Sequence, residues 1–274
     1  MTMKFSLCNE MYQGWAIDDV LASAKELGYD GVELAPFTLA PNAADVPASE
    51  RRRIRAKADE LGLDLVGLHW LLVSPEGLYI NHPDDSIRLR TRDYMFELVR
   101  LCGDLSGKVM IFGSPSQRNV TDGETYETVF ERTRAVFREC AEFANGFGVT
   151  ICMESLPPDD TNFCRTASEA LDLVKAVDHE NFQMMLDVKS MCSEGRPLND
   201  IIRECAPYVR HIHANDANRR GPGFGDTDFA PVFSALTESG YDGYVSVEVF
   251  DYKPDPVTIA GKSLEHMRSV LAAV

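Results

Sequence analysis

Four side chains with metal-ligand chemistry end four short apolar runs. Glu154 closes TICME, Asp187 closes FQMMLD, His213 closes VRHIH and Glu248 closes YVSVE. The steps between them are 33, 26 and 35 residues, each near the length of one strand–helix unit. If these runs are parallel strands, their C-terminal ends bring three carboxylates and one imidazole to a single point. That hard, mixed donor set suits one divalent ion, Mn²⁺ first, with Mg²⁺ or Co²⁺ as alternatives. Any one of these acids alone would read as a loop carboxylate or a helix cap. Together they repel one another strongly unless a cation or shared protons intervene, which argues for a site. His211 and His213 alternate onto one face, and ligation is assigned to His213 because it lies nearer the strand end.

Positioning such a set requires a scaffold that points many strand ends the same way. Four further β-rich runs, KFSLCN from Lys4, GVELA from Gly31, LDLVGLH from Leu63 and KVMIFG from Lys108, bring the total to eight. Amphipathic stretches alternate with them: Ile17–Leu27, Glu50–Leu61, Ser86–Leu105, Glu124–Asn145, Ala167–Val177, Leu198–Cys205, Ala230–Ser239 and Pro256–Ala273. In the first, Ile17, Val20, Leu21, Ala24 and Leu27 follow helical spacing. Gly28, Gly62, Gly148 and Gly240 follow helical runs as C-caps do, and Thr166 with Glu169 has the form of a capping box. Eight βα units in 274 residues with no linker predict an α/β protein, a (β/α)₈ (TIM) barrel forming one domain over residues 1–274. An open doubly wound sheet is the competitor, but it does not gather four strand ends around one ion.

Composition narrows the function. With 27 basic and 43 acidic side chains the net charge is −16, which repels nucleic acid and anionic membranes. Seven scattered cysteines without a CxxC pair, and no apolar run or leader, predict reduced thiols in a cytoplasmic protein that does not enter a membrane.

The four-residue constellation, together with the stretch His213-Ala-Asn-Asp-Ala-Asn218-Arg219-Arg220, resembles the xylose-isomerase-like barrel superfamily, and within it the ketose 3-epimerases. The resemblance covers essentially the whole chain and is strongest from Glu154 onward. It implies metal ligation by Glu154, Asp187, His213 and Glu248, acid/base roles for Glu154 and Glu248, and substrate contact by Arg219. It also implies a small-molecule sugar substrate and a homo-oligomer. Two positions depart from the family pattern: Ser190 stands where a substrate-binding His is expected, and Asp160 where a pocket Glu is expected. His69 and Trp70, closing the third strand, are expected to contact a sugar face.

The implied chemistry is proton transfer at a carbon beside a carbonyl through an enediolate, stabilised by a Lewis-acidic ion. Epimerisation at C3 of a ketose needs two proton-transfer groups on opposite faces, which Glu154 and Glu248 would supply. Dehydration of a keto-sugar or inosose is the alternative, motivated by Ser190 and Asp160. A repair endonuclease would need more than six histidines and a basic face, and a barrel that binds without turnover fits poorly with two intact acid/base glutamates. Elsewhere, Glu33 is expected to face the pocket or an interior base. Lys189 is expected to face solvent, with supply of a cation to the substrate as the alternative. Arg118 is expected to sit at the surface or order a loop, and Trp15 and Phe37 to pack into the core, with apolar walls of the site as the alternative. Gly221–Gly225 reads as a lid edge.

Overall fold

The computed structural model describes residues 3–274. Eight strands run in sequence order: β1 (Lys4–Cys8), β2 (Gly31–Leu34), β3 (Asp64–Leu68), β4 (Val109–Phe112), β5 (Thr150–Met153), β6 (Phe182–Asp187), β7 (Val209–Ala214) and β8 (Tyr244–Val247). All pair in parallel, and β8 returns to β1, so the sheet closes into the expected barrel. Around it lie α1 (Ile17–Leu27), α2 (Ala48–Leu61), α3 (Asp85–Asp104), α4 (Tyr126–Asn145), α5 (Ala167–Val177), α6 (Val188–Cys192), α7 (Leu198–Cys205), α8 (Ala230–Glu238) and α9 (Pro256–Leu271). Helix α6 is not anticipated, because five residues are too few to show a 3.6-residue period.

Local chemistry accounts for most element ends. Gly28 and Gly62 cap α1 and α2 in the left-handed conformation, φ 91° and 64°, which a side chain would strain. Gly148 and Gly240 are also left-handed but lie past the helix ends. Thr166 accepts a hydrogen bond from the Glu169 N–H at 3.2 Å, while the Glu169 carboxylate accepts from the Arg165 N–H, one residue earlier than a full capping box requires. Among the described residues no helix is long and apolar enough to cross a membrane, and all seven cysteines are free thiols.

Two apolar layers hold the barrel. The larger lies between strands and helices, where Phe137 packs on Phe112 and Phe182 at ring separations of 4.8 and 4.7 Å. Each such ring contributes roughly 2–3 kcal/mol by leaving water. The smaller fills the barrel interior with Val66, Val109, Ile111, Cys152 and Met185. Strand alternation then dictates what lies above that plug. Two residues beyond Cys152 is Glu154, and two beyond Met185 is Asp187. Asp187 pairs in register with His213, and His213 with Ser246, two residues before Glu248. The ligand candidates are therefore the next inward-facing positions on their strands, beyond these residues.

Candidate active site

Glu154, Asp187, His213 and Glu248 are all buried, and each offers a donor atom within 4.8 Å of the others. Asp187 ends β6 and caps α6. Its Oδ1 accepts the Ser190 N–H at 2.7 Å, and its Oδ2 accepts from Asn215 Nδ2 at 2.6 Å. Asn215 in turn accepts the Lys189 N–H at 2.8 Å, tying β7 to the start of α6. Glu248 accepts the Trp70 indole N–H on Oε1 at 3.0 Å, and its Oε2 lies 3.1 Å from His213 Nδ1. The Glu154 carboxylate has no protein hydrogen bond among the described residues, and it occupies space that a methyl group at Gly113 would fill.

The electrostatics follow from this crowding. Burial, then the charges of Glu248 and Asp187, push Glu154 up to about 8. Burial and Glu248 also raise Asp187. Burial raises Glu248 too, but the charge and hydrogen bond of His213 outweigh it and hold this carboxyl below its ordinary value. His213 loses by burial yet is raised well above 6.5 by Glu248 and Glu33. Three oxygen donors and one nitrogen, mutually repelling and partly unpartnered, fit a divalent cation by type, number and spacing.

Beneath the cluster lies a polar floor. Glu33 is fully buried, 3.1 Å from His213 Nε2, and accepts from Ser246 Oγ at 2.9 Å. His211 Nε2 is 2.6 Å from Glu33 Oε2, off the line a hydrogen bond needs. Glu33 thus pairs with interior bases and does not face the cavity. It fixes the His213 ring so that Nδ1 is the nitrogen turned toward Glu248, the arrangement that orients metal-ligating imidazoles.

A cavity of about 340 Å³ opens over the cluster, lined among others by His69, Trp70, Asp160, Lys189, Arg219 and Phe250. Trp70, Ser114 and Arg219 in its wall all hold positive φ (53°, 43° and 71°), a strained backbone that clusters where side chains are aimed at ligands. Ser190 is buried with its hydroxyl unpartnered, but unlike Asp160 it does not line the cavity. His69 is held from behind by Glu10, with Nε2 2.6 Å from Oε2.

Several expectations change. Lys189 does not face solvent: its ammonium donates to Asp160 at 3.2 Å and lies 4.9 Å from the Phe250 ring, in the cavity wall. Arg118 is fully buried, donating through Nη1 to the Glu154 carbonyl at 2.6 Å and through Nη2 to the Cys164 carbonyl at 3.1 Å. It orders the loop that carries Glu154, so Arg118→Ala leaves a cavity and two unpaired carbonyls. A loss of about 3–5 kcal/mol in urea unfolding is expected; a change under about 1 kcal/mol contradicts this role. Trp15 and Phe37 are not core residues, being 45% and 37% exposed. The Gly221–Gly225 segment is not a free flap, since its glycines press on Ser263, His266 and Asp216. Glu10 and Asn215 escape the sequence reading. The Glu10–His69 pair spans 59 positions, and Asn215 signals itself only by standing two residues past His213, on the inward parity of β7.

The family model described as "Xylose isomerase-like TIM barrel" matches residues 21–270. The chain is 30% identical to D-psicose 3-epimerase of Ruminiclostridium cellulolyticum over 87% of this chain and 80% of that one. It is 28% identical to L-ribulose 3-epimerase of Mesorhizobium japonicum over 85% and 75% respectively. The crystal structure of D-psicose 3-epimerase with D-tagatose from Clostridium cellulolyticum H10 superposes with TM-score 0.84 at 24% identity, covering 98% of this chain and 99% of that one.

Proposed function

The chain belongs to the xylose isomerase-like TIM barrel family, and from that premise we propose that it is a divalent-metal-dependent sugar epimerase acting at C3 of a ketose. The observation that carries this reading is the pairing of two buried glutamates, Glu154 after β5 and Glu248 after β8, in one cluster with Asp187 and His213. The names of the relatives, D-psicose and L-ribulose 3-epimerases, support the same reaction class.

Glu154, Asp187, His213 and Glu248 would hold the ion, which when bound supplies Lewis-acid stabilisation of charge developing on the substrate carbonyl oxygen. Inversion at C3 of the open-chain ketose requires one group to take a proton from one face of C3 and another to return one to the opposite face. Glu154 and Glu248 fill these roles, with Trp70 and His213 fixing the orientation of Glu248. Arg219, Asp160 and Lys189 meet hydroxyls across the cavity, with His69, Trp70 and Phe250 as its walls. The apolar walls exclude water, which strengthens each of these contacts.

The test is product-resolved NMR in D₂O with Mn²⁺ and a panel of D-fructose, D-tagatose and L-ribulose. The expected product is the C3 epimer carrying deuterium at C3. Label at C1 or C2 instead means aldose–ketose isomerisation, and loss of water means a dehydratase. No exchange at any carbon overturns the proposal.

A further inference from the structure

Beside the reactive cavity, on the other side of Trp70, lies a second cavity of about 430 Å³. Its wall combines aromatic faces, Trp15, Phe37, Trp70 and Tyr252, with polar side chains that include Asn9 and Glu10. Trp15 and Phe37 expose 45% and 37% of their surface, and Phe37 leans on Trp70 with ring centroids 6.2 Å apart. Large aromatic side chains left open to water around one concavity mark a binding surface, since burying them would be favourable.

A second feature points the same way. Glu10 is only 5% exposed and its Oε2 is taken by His69, but its Oε1 has no hydrogen-bond partner. A buried carboxylate oxygen left unsatisfied is costly, and the cavity is where a donor would come from. No lysine or arginine lines this cavity, so it offers nothing to an anionic group. Aromatic platforms for apolar C–H faces beside a carboxylate acceptor for hydroxyls match the two-sided chemistry of a sugar ring.

We propose that this groove is a subsite for a second saccharide ring, so that the substrate is a ketose bearing a glycosyl substituent. This rests on the epimerase reading above. The two cavities share Trp70, and each is near the small end of ligand-pocket sizes, with room for one ring apiece. Trp70 is the partition: its N–H engages Glu248 in the reactive cavity, while the same side chain forms a wall of the groove. The second ring stacks on Trp15 and Phe37 and donates a hydroxyl to Glu10 Oε1.

Maltulose, leucrose and isomaltulose carry a glucosyl group on O4, O5 and O6 of fructose and leave C3 free. With the Mn²⁺-loaded protein, at least one is expected to react with kcat/KM about tenfold or more above fructose. Trp15→Ala and Phe37→Ala should remove that advantage and leave fructose turnover unchanged; both side chains are substantially exposed, so folding is preserved. If no glycoside exceeds fructose, or both variants lower fructose and glycoside alike, the subsite is overturned. Saturation-transfer NMR with methyl α-D-glucopyranoside separates this from failure of the epimerase reading. Transfer in wild type that is lost in Trp15→Ala, with no ketose reacting, supports the groove while the reaction assignment falls. Ketose turnover without such transfer and without glycoside preference removes the groove alone.

Discussion

Glu154→Gln is expected to lower kcat for C3 epimerisation by 10²–10⁴-fold, the usual worth of a positioned proton-transfer group. Glu248→Gln should fall in the same range, and the double variant little further, because the two act on one proton exchange. The sharper readout is isotope exchange. With one glutamate left, the protein can take the C3 proton from one face only. Each single variant should therefore wash deuterium into C3 of one epimer of the pair, a different one for each variant, without net inversion. The Glu154 carboxyl group also has no hydrogen-bond partner among the described residues and is crowded by Glu248 and Asp187, so a neutral amide there forfeits no side-chain hydrogen bond and abolishes the repulsion that the ionised form would feel. Glu154→Gln should leave the ion-free protein at least as stable as wild type. Unchanged turnover in either variant, or exchange in both epimers from one variant, would reject the two-glutamate assignment.

How much of this was legible in the residues depends on the range of the physics involved. The barrel was legible because each βα unit carries its own periodicity, and the convergence of Glu154, Asp187, His213 and Glu248 because they continue the inward parity of their strands. The assignment of His213 over His211 followed from distance to the strand end. What failed was anything decided by distant chain segments. Lys189 looks like a solvent lysine on the short α6, yet Asp160 and Phe250 enclose it from two other loops. For Arg118 only the surface alternative fails: it orders a loop as expected, but while fully buried and through carbonyls 36 and 46 positions away. Trp15 and Phe37 carry the composition of core residues, and only the folded loops show that they stay open. Glu33 was balanced between pocket and interior, and two histidines on β7 decide it for the interior.

Ion binding should stabilise the fold, and increasingly so as pH rises. In the ion-free protein Glu154 titrates near 8 against an ordinary 4.5, so the folded state holds an extra proton between those values. Folding stability then declines as pH rises through this window, by at most about 1.4 kcal/mol per unit for one proton. Asp187 is raised as well, and His213 is raised as a base; both terms also fall with rising pH. A divalent ion competes with these same protons, so its affinity strengthens over the range in which the ion-free fold weakens. At pH 8, Mn²⁺ at about a hundred times its Kd should add roughly 2.7 kcal/mol, or about 5 °C in Tm. At pH 5 the gain should shrink to a small fraction of that. Glu33→Gln tests the floor beneath: with the partner of His213 Nε2 altered, Mn²⁺ affinity by calorimetry should drop about 10–100-fold. Equal Tm in Mn²⁺ and in chelator at pH 8 would mean that the four side chains do not hold a cation. Their crowding would then be relieved by protons alone, and the charge developing on the substrate carbonyl oxygen would lack the Lewis-acid stabilisation that the proposal requires.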